Sequence, residues 1–325
     1  MNHLSVPSFA KINWNLHILG RRPDGYHEVS TLLQTISLHD DLEFDVSEDE
    51  AISLSCDEPD IPPDIPIDDQ NLIVRAAYAL KLRYKVNQGA RIRLAKRIPT
   101  RAGLGGASSN AAVSLLALAH LWNIKATASE LLEVAEGLGA DVPFFLIGGC
   151  GLATGIGATV SAIADKSDNE VHHLIVIKAN ASVSTPEAYA ALRATALTTP
   201  HSEPILSSSR IEADSRNSQP WPLDDSSKND FESVIFDIEP EIRRTKEALL
   251  QAGALDALLA GSGASVFGIF ADREDQQRAL NEIKLETGWR VFPCVTVSRN
   301  EYVRAVGSWS IPFLRSFNPE SDIGA

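Results

Sequence analysis

The sequence predicts an α+β protein built in two domains. Three observations carry that expectation. The chain has 325 residues, room for two domains of ordinary size. Short apolar strands and longer helical patterns are interspersed along it. The composition also breaks near Ala162–Glu170, which places a division between residues 1–165 and 166–325.

In chain order, Ser8–Leu19 reads as an apolar strand, and Arg21-Arg-Pro-Asp-Gly25 as a turn marked by Pro and Asp-Gly. Val29–Ser37 and Asp41–Val46 read as two further strands. The acidic, proline-rich stretch 57–70 reads as a loop. Asn71–Lys85 reads as a helix with Leu72, Ala76, Ala79, Leu80 and Leu82 inward. Arg91–Ala95 alternates as a strand does, and Ala111–Trp122 is a packed helix. Thr127-Ala-Ser-Glu130 is a capping box that opens a helix, with Leu131, Leu132, Ala135 and Leu138 on its buried face and Gly139 closing it. Gly148-Gly149 and the Gly155/Gly157 pair punctuate short strands. Leu174–Lys178 is a short buried strand, and residues 198–230 form a long polar loop. Pro240 suits the first position of a helix that ends near Gly253. Leu255–Ala260 and Ser265–Phe270 are strands joined by Gly261-Ser-Gly263. The residues from about 316 are expected to be loose.

The stretch Pro99-Thr100-Arg101-Ala102-Gly103-Leu104-Gly105-Gly106-Ala107-Ser108-Ser109 carries the most chemistry. It joins a strand to a helix through a bare backbone turn. Glycine lets the main chain approach a ligand without obstruction, and free N–H groups with the helix dipole favour an anion there. The loop lacks the Gly-Lys-Ser/Thr ending of one common phosphate motif and the spacing of the other. It reads either as a tight turn or as a nucleotide phosphate loop. Ser108 and Ser109, placed at the helix cap, favour the second reading. Their hydroxyls suit capping, phosphate oxygens or Mg²⁺.

The formal net charge is −14, which argues against nucleic acid as the main partner. Three widely spaced cysteines form no metal signature. No apolar run approaches the ~20 residues of a membrane span. A soluble cytoplasmic protein without a membrane partner is expected, as monomer or homodimer.

Lys11 lies among apolar and small residues. A lysine in such a strand is either paired or functional, or on an edge with its head in solvent. Asp141 stands just past a helix end, as a plain turn carboxylate or, beside a lysine, as a group that takes a proton from an alcohol. Tyr26-His27 follows a turn and reads as surface loop or binding pair. Gly261-Ser-Gly263 is a tight hairpin or a source of N–H groups for a phosphate.

Taken together, these segments resemble the superfamily of galactokinases, homoserine kinases, mevalonate kinases and phosphomevalonate kinases. Three motifs match in order: Pro7-Ser-Phe-Ala-Lys11-Ile-Asn13-Trp-Asn-Leu, Gly103-Leu-Gly-Gly-Ala-Ser-Ser, and Leu259-Ala-Gly261-Ser-Gly263-Ala-Ser-Val-Phe. Within it, Arg22-Pro-Asp-Gly25-Tyr26-His27, Gly139-Ala-Asp141-Val-Pro143-Phe and Asn229-Asp230-Phe-Glu232 are most similar to the branch acting on a cytidine-diphosphate-linked methylerythritol. The resemblance implies a two-domain fold, with an ATP-binding N-terminal domain like ribosomal protein S5 domain 2 and a ferredoxin-like C-terminal domain. It implies transfer of the ATP γ-phosphate to the C2 hydroxyl of that substrate, for isoprenoid precursors. By matched position it implies catalytic roles for Lys11 and Asp141, and ATP phosphate binding by Pro99–Ser109. Asn13, Tyr26, His27 and Tyr189 are implied around the cytidine diphosphate. Ala107 departs from a third consecutive glycine, and Asn110 from a frequent Asp. A sister kinase for another small alcohol and a non-catalytic nucleotide sensor are the rival readings.

Overall fold

A computed structural model describes residues 2–56, 65–164, 171–192, 228–310 and 313. The division at 165/166, residues 57–64 of the proline-rich loop, residues 198–227 of the polar loop and the end from 316 lie outside the described residues.

The longest strands form one hairpin. β1 (His3–Arg21) runs antiparallel to β2 (His27–Ser47), with register shifts at Phe9/Ala10, Asn13/Asn15 and Ile18/Gly20. The turn between them closes on Arg22 and Tyr26, and the Asp24 carboxylate accepts the Tyr26 N–H at 3.1 Å. Gly25 takes φ +90°, a left-handed conformation open to glycine. β2 is one continuous strand, where the sequence pattern suggested two. The polar His39-Asp40 pair looks like a break, but Asp40 is fully buried and hydrogen-bonded, so the strand continues through it.

β1 covers one edge of β2. β4 (Gly89–Ala95) and β5 (Cys150–Gly155) share the other edge, followed outward by β3 (Ile52–Cys56) and β6 (Thr159–Ile163). Helices α1 (Leu72–Tyr84), α2 (Gly106–Leu121), α3 (Ala128–Leu138) and α4 (Val142–Ile147) complete this layer. α2 is buried all round from Ser109 to Ala119, as befits a helix apolar on every side. α3 has the expected Thr127–Glu130 capping box and Gly139 cap. In α1 the buried residues are Ile73, Val74, Ala76, Ala77 and Leu80, while Leu82 is 85% exposed. Two positions beyond Leu80 is about 200° around a helix, so Leu82 faces out, against the sequence expectation.

The second sheet holds β7 (His173–Lys178), β8 (Asp256–Ala260), β9 (Ser265–Phe270) and β10 (Arg290–Val295) in the order β10-β7-β9-β8, all neighbours antiparallel. α5 (Thr185–Leu192), α6 (Glu232–Ile238) and α7 (Pro240–Gln251) lie between β7 and β8, and α8 (Arg273–Glu282) between β9 and β10. First strand central, third beside it, second and fourth outside is the split β-α-β, ferredoxin-like arrangement.

A third apolar cluster joins the sheets. It includes Ile12, Trp14, Leu32 and Ile36 from the hairpin, and Leu174, Val176, Phe267 and Ile269 from the second sheet. After β10 the chain crosses back. Val297 N–H donates to the Thr35 carbonyl at 2.9 Å, and α9 (Arg299–Val306) places Tyr302 and Val306 in the first core.

Candidate active site

Lys11 sits on β1 with its main-chain N–H donating to the Leu104 carbonyl at 3.0 Å, so the strand is stitched to the glycine loop. Its side chain is only 5% exposed, and Nζ lies 3.7 Å from Asp141 Oδ2, whose side chain is 38% exposed. Nζ also donates to Asn13 Oδ1 at 2.9 Å, and Asn13 Nδ2 donates to Thr31 Oγ1 at 2.8 Å. Of the two sequence readings for Lys11, the paired one holds. Asn13 has both polar ends engaged inside the protein and steers the ammonium toward Asp141. The carboxylate opens outward in front of a buried cation. Asp141 itself is at the N-cap position of α4, because Pro143 starts a new helical turn there. It is therefore at the beginning of a helix as well as past the end of α3.

The glycine loop runs from Pro99 into α2. Its helix begins at Gly106, with Gly105 as the cap at φ +70° and without a capping side chain. This corrects the placement of Ser108 and Ser109 at the cap: they are in the first turn, because a left-handed glycine ends the loop three residues earlier. Ser109 is fully buried and accepts a 2.7 Å hydrogen bond from Ser8 Oγ, while Ser108 is partly exposed and Ala107 exposed. The N–H groups of Gly106, Ala107 and Ser108 precede the first intrahelical bond, which Ser109 N–H makes to the Gly105 carbonyl at 2.9 Å, and the first turn carries no acidic residue. Anions are favoured at such an end.

Gly103 and Gly261 show why both turns need bare backbone. A Cβ at Gly103, with φ +73°, would stand 1.9 Å from the Ala260 carbonyl oxygen. One at Gly261 would stand 3.0 Å from the Gly103 carbonyl and 3.3 Å from Lys11 Nζ. Thus the loop at 103–106, the turn at 261–263 and Lys11 back directly on one another.

An aromatic wall lies on another side. His27 and Tyr189 stack with ring centroids 4.6 Å apart and planes 20° from parallel, and Phe231 meets Tyr189 edge-on at 4.9 Å. Tyr26 is 60% exposed. Burial, then the Asp141 charge, pushes the Tyr189 phenol up to about 12, which also locates Asp141 near this wall. Burial, then Arg21, lowers His27 below its ordinary value. Tyr189 belongs to α5, whose Thr185 hydroxyl is 3.1 Å from Ser262 Oγ in the glycine turn.

Residues that sequence reasoning left without a role complete the frame. Asn229 Nδ2 donates to the Leu259 and Gly261 carbonyls at 2.8 and 2.7 Å and fixes the second glycine turn. Glu232 accepts from Leu259 N at 2.8 Å and from Lys246 Nζ at 2.7 Å. Asn229 and Glu232 were visible as a motif, but nothing in their spacing to Gly261 announces the contact. Among the described residues no group of three or more His, Cys, Asp or Glu side chains is arranged to hold a metal ion. Among the same residues no helix is long and apolar enough to cross a membrane.

Residues 71–149 match the family described as GHMP kinases N terminal domain, and residues 219–287 match GHMP kinases C terminal. The 4-diphosphocytidyl-2-C-methyl-D-erythritol kinase of Prosthecochloris aestuarii is 39% identical over 90% of this chain and 98% of its own length. That of Thermoanaerobacter pseudethanolicus is 36% identical over 87% of this chain and 93% of its own. A crystal structure of 4-(cytidine 5'-diphospho)-2C-methyl-D-erythritol kinase superposes with TM-score 0.71 at 31% identity, covering 90% of this chain and 99% of that one. Mevalonate kinase from L. major, at TM-score 0.60 and 15% identity over 91% of this chain and 96% of its own, shares the fold.

Proposed function

The chain belongs to the GHMP kinases, among the 4-diphosphocytidyl-2-C-methyl-D-erythritol kinases, and from that membership we propose that it transfers the γ-phosphate of ATP to the C2 hydroxyl of 4-diphosphocytidyl-2-C-methyl-D-erythritol, a step toward isoprenoid precursors. The observation that carries this reading is the Lys11–Asp141 pair, a buried cation 3.7 Å behind a half-open carboxylate, against which both glycine turns are backed.

The chemistry follows from the charges. An alcohol is a weak nucleophile until its proton has somewhere to go. Asp141 accepts that proton as the hydroxyl oxygen bonds to the γ-phosphorus and the bond to the ADP oxygen breaks. The Lys11 ammonium steadies negative charge on the reacting oxygens. The residues Pro99–Ser109 hold the triphosphate through main-chain N–H groups and the α2 dipole. Positioning and charge neutralisation supply most of the acceleration in this class of reaction.

Mg²⁺ is held in such sites by one or two carboxylates together with substrate phosphates, and needs no all-protein cage. Ser108, partly exposed in the first turn of α2, would offer the ion a hydroxyl oxygen beside those phosphates, whereas the Ser109 hydroxyl is turned onto Ser8. The ion, when bound, neutralises the β- and γ-phosphate oxygens.

On the aromatic side, His27 and Tyr189 offer flat apolar faces for a pyrimidine ring. A neutral imidazole has one N–H donor and one acceptor on divergent sides of its ring, so one in-plane contact to a neighbouring polar group uses one of them. Tyr26 supplies a further exposed ring. This wall favours the cytidine-linked substrate over mevalonate or homoserine.

The test is ADP release. With ATP and Mg²⁺, the protein is expected to release ADP in the presence of the cytidine-linked alcohol, and cytidine diphosphate is expected to compete with it. ADP release with mevalonate or homoserine but none with the cytidine substrate overturns the substrate reading. No release with any alcohol favours the nucleotide sensor.

A further inference from the structure

Beneath the phosphate loop lies a carboxylate that the reaction does not touch. Asp40 is fully buried on β2, yet all its lone pairs are directed at partners. Oδ1 accepts the main-chain N–H groups of Arg97 and Ile98, each at 2.8 Å. Oδ2 accepts Lys96 Nζ at 2.7 Å and Asn110 Nδ2 at 3.0 Å.

Those four donors come from two places. Lys96, Arg97 and Ile98 lead from β4 into Pro99, the entry to the loop. Asn110 is in α2, the exit from it. Asp40 thus holds both ends of the loop to one point on the sheet. Ser8, its cross-strand neighbour on β1, takes hold of the adjacent α2 residue through the Ser8–Ser109 hydroxyl bond. Lys96 sits close under the helix start, since a Cβ on Gly106 would be 3.2 Å from its Nζ. Burial lowers Lys96 from its ordinary value and the Asp40 charge opposes that shift. A buried carboxylate is costly unless paired and hydrogen-bonded, so this one is retained with a full set of donors.

We propose that Asp40 is a positioning residue for nucleotide binding: it sets the spacing between the loop entry and the α2 N-terminus, and so the aim of the N–H groups at the triphosphate. This rests on the phosphate-loop reading given above.

The pattern of donors dictates the test. In Asp40→Asn the retained carbonyl still accepts Arg97 and Ile98 N–H, but the new NH₂ faces Lys96 and Asn110, donor against donor. KM for ATP is expected to rise about tenfold or more, while KM for the cytidine-linked substrate stays within about twofold. The swap Asp40→Asn with Asn110→Asp lets the new amide donate to the new carboxylate, and is expected to return KM for ATP to within about threefold of wild type. Equal movement of both KM values, or of neither, overturns the proposal. If Asp40→Asn does not fold, the swap is measured alone, and a swap that fails to fold or to bind nucleotide overturns it. Calorimetric titration of wild type with a non-hydrolysable ATP analogue separates the premises. No binding there overturns the phosphate-loop reading itself, whereas binding that Asp40→Asn leaves unchanged overturns only the role of Asp40.

Discussion

His27 at the start of β2 and Tyr189 on α5 stack face to face, 4.6 Å between centroids and 20° from parallel. One ring comes from each sheet's layer, so the wall exists only when the two layers are docked. Aromatic pairs of this kind contribute about 0.5–1.5 kcal/mol beyond their buried area. Tyr189→Ala is therefore expected to raise KM for the cytidine-linked substrate about threefold to tenfold or more, leaving KM for ATP unchanged. Tyr189→Phe keeps the stack and is expected to change neither by more than about twofold. Steady-state kinetics with each substrate varied in turn decides.

Protonation of His27 gives a second handle. Burial and Arg21 hold its folded-state value below the ordinary 6.5, so the ring stays neutral down to a lower pH than a free histidine. A group with a depressed basic value binds more protons when unfolded. Its neutral form thus supports the fold fully above 6.5, and that support is lost as pH falls below it. KM for the cytidine substrate is expected to be level above pH 6.5 and to rise below it. His27→Gln should flatten that rise. A profile unchanged in the variant assigns the inflection to another group.

Asp141→Asn preserves shape and removes the proton acceptor. Turnover is expected to fall about 10²- to 10⁴-fold while the affinity for a non-hydrolysable ATP analogue stays within about threefold. Single-turnover kinetics and calorimetric titration measure the two. Near-normal turnover rejects Asp141 as the base.

Asn229→Ala leaves the Leu259 and Gly261 carbonyls without their donor. Each unsatisfied buried group costs roughly 1–3 kcal/mol, so thermal unfolding should show a clear loss of stability. A fall in turnover beyond that expected from the unfolded fraction would report the displaced turn at 261–263.

Ala107 and Gly103 make opposite predictions within one loop. The Ala107 methyl is exposed in the first turn of α2, so Ala107→Gly is expected to leave KM for ATP within about twofold and to cost roughly 0.5–1 kcal/mol of helix stability. Gly103→Ala drives a methyl into the Ala260 carbonyl and forces a left-handed alanine, so nucleotide binding is expected to be lost. Thermal melts with and without an ATP analogue read both variants.

Much of this was legible in the chain. Lys11 and Asp141, each open between two readings on position alone, take their roles from the family resemblance, whereas the glycine loop, the capping box at Thr127 and the strand–turn–strand around Gly261 announce themselves, because local rules govern them. Asp40 does not. A charged residue between apolar runs reads as a break in a strand, and only the fold brings Lys96 and Asn110 to it. Ser109 looked ligand-facing for the same reason: its environment is set by Ser8, a residue on another strand. Leu82 was misplaced because helical phase drifts quickly when one apolar residue too many is counted into the stripe. Contacts between distant segments, unlike caps and turns, leave no spacing signature.

The return of α9 to the first layer constrains the order of events on the ribosome. Val297, Tyr302 and Val306 plug a hydrophobic interior whose other walls were synthesised much earlier. Until they emerge from the exit tunnel, the nascent chain keeps an unsealed apolar surface beside α2 and α4. Maturation of the nucleotide pocket is thereby tied to synthesis of the segment through residue 306, and a chain stalled before residue 297 is expected to be a client for holding chaperones.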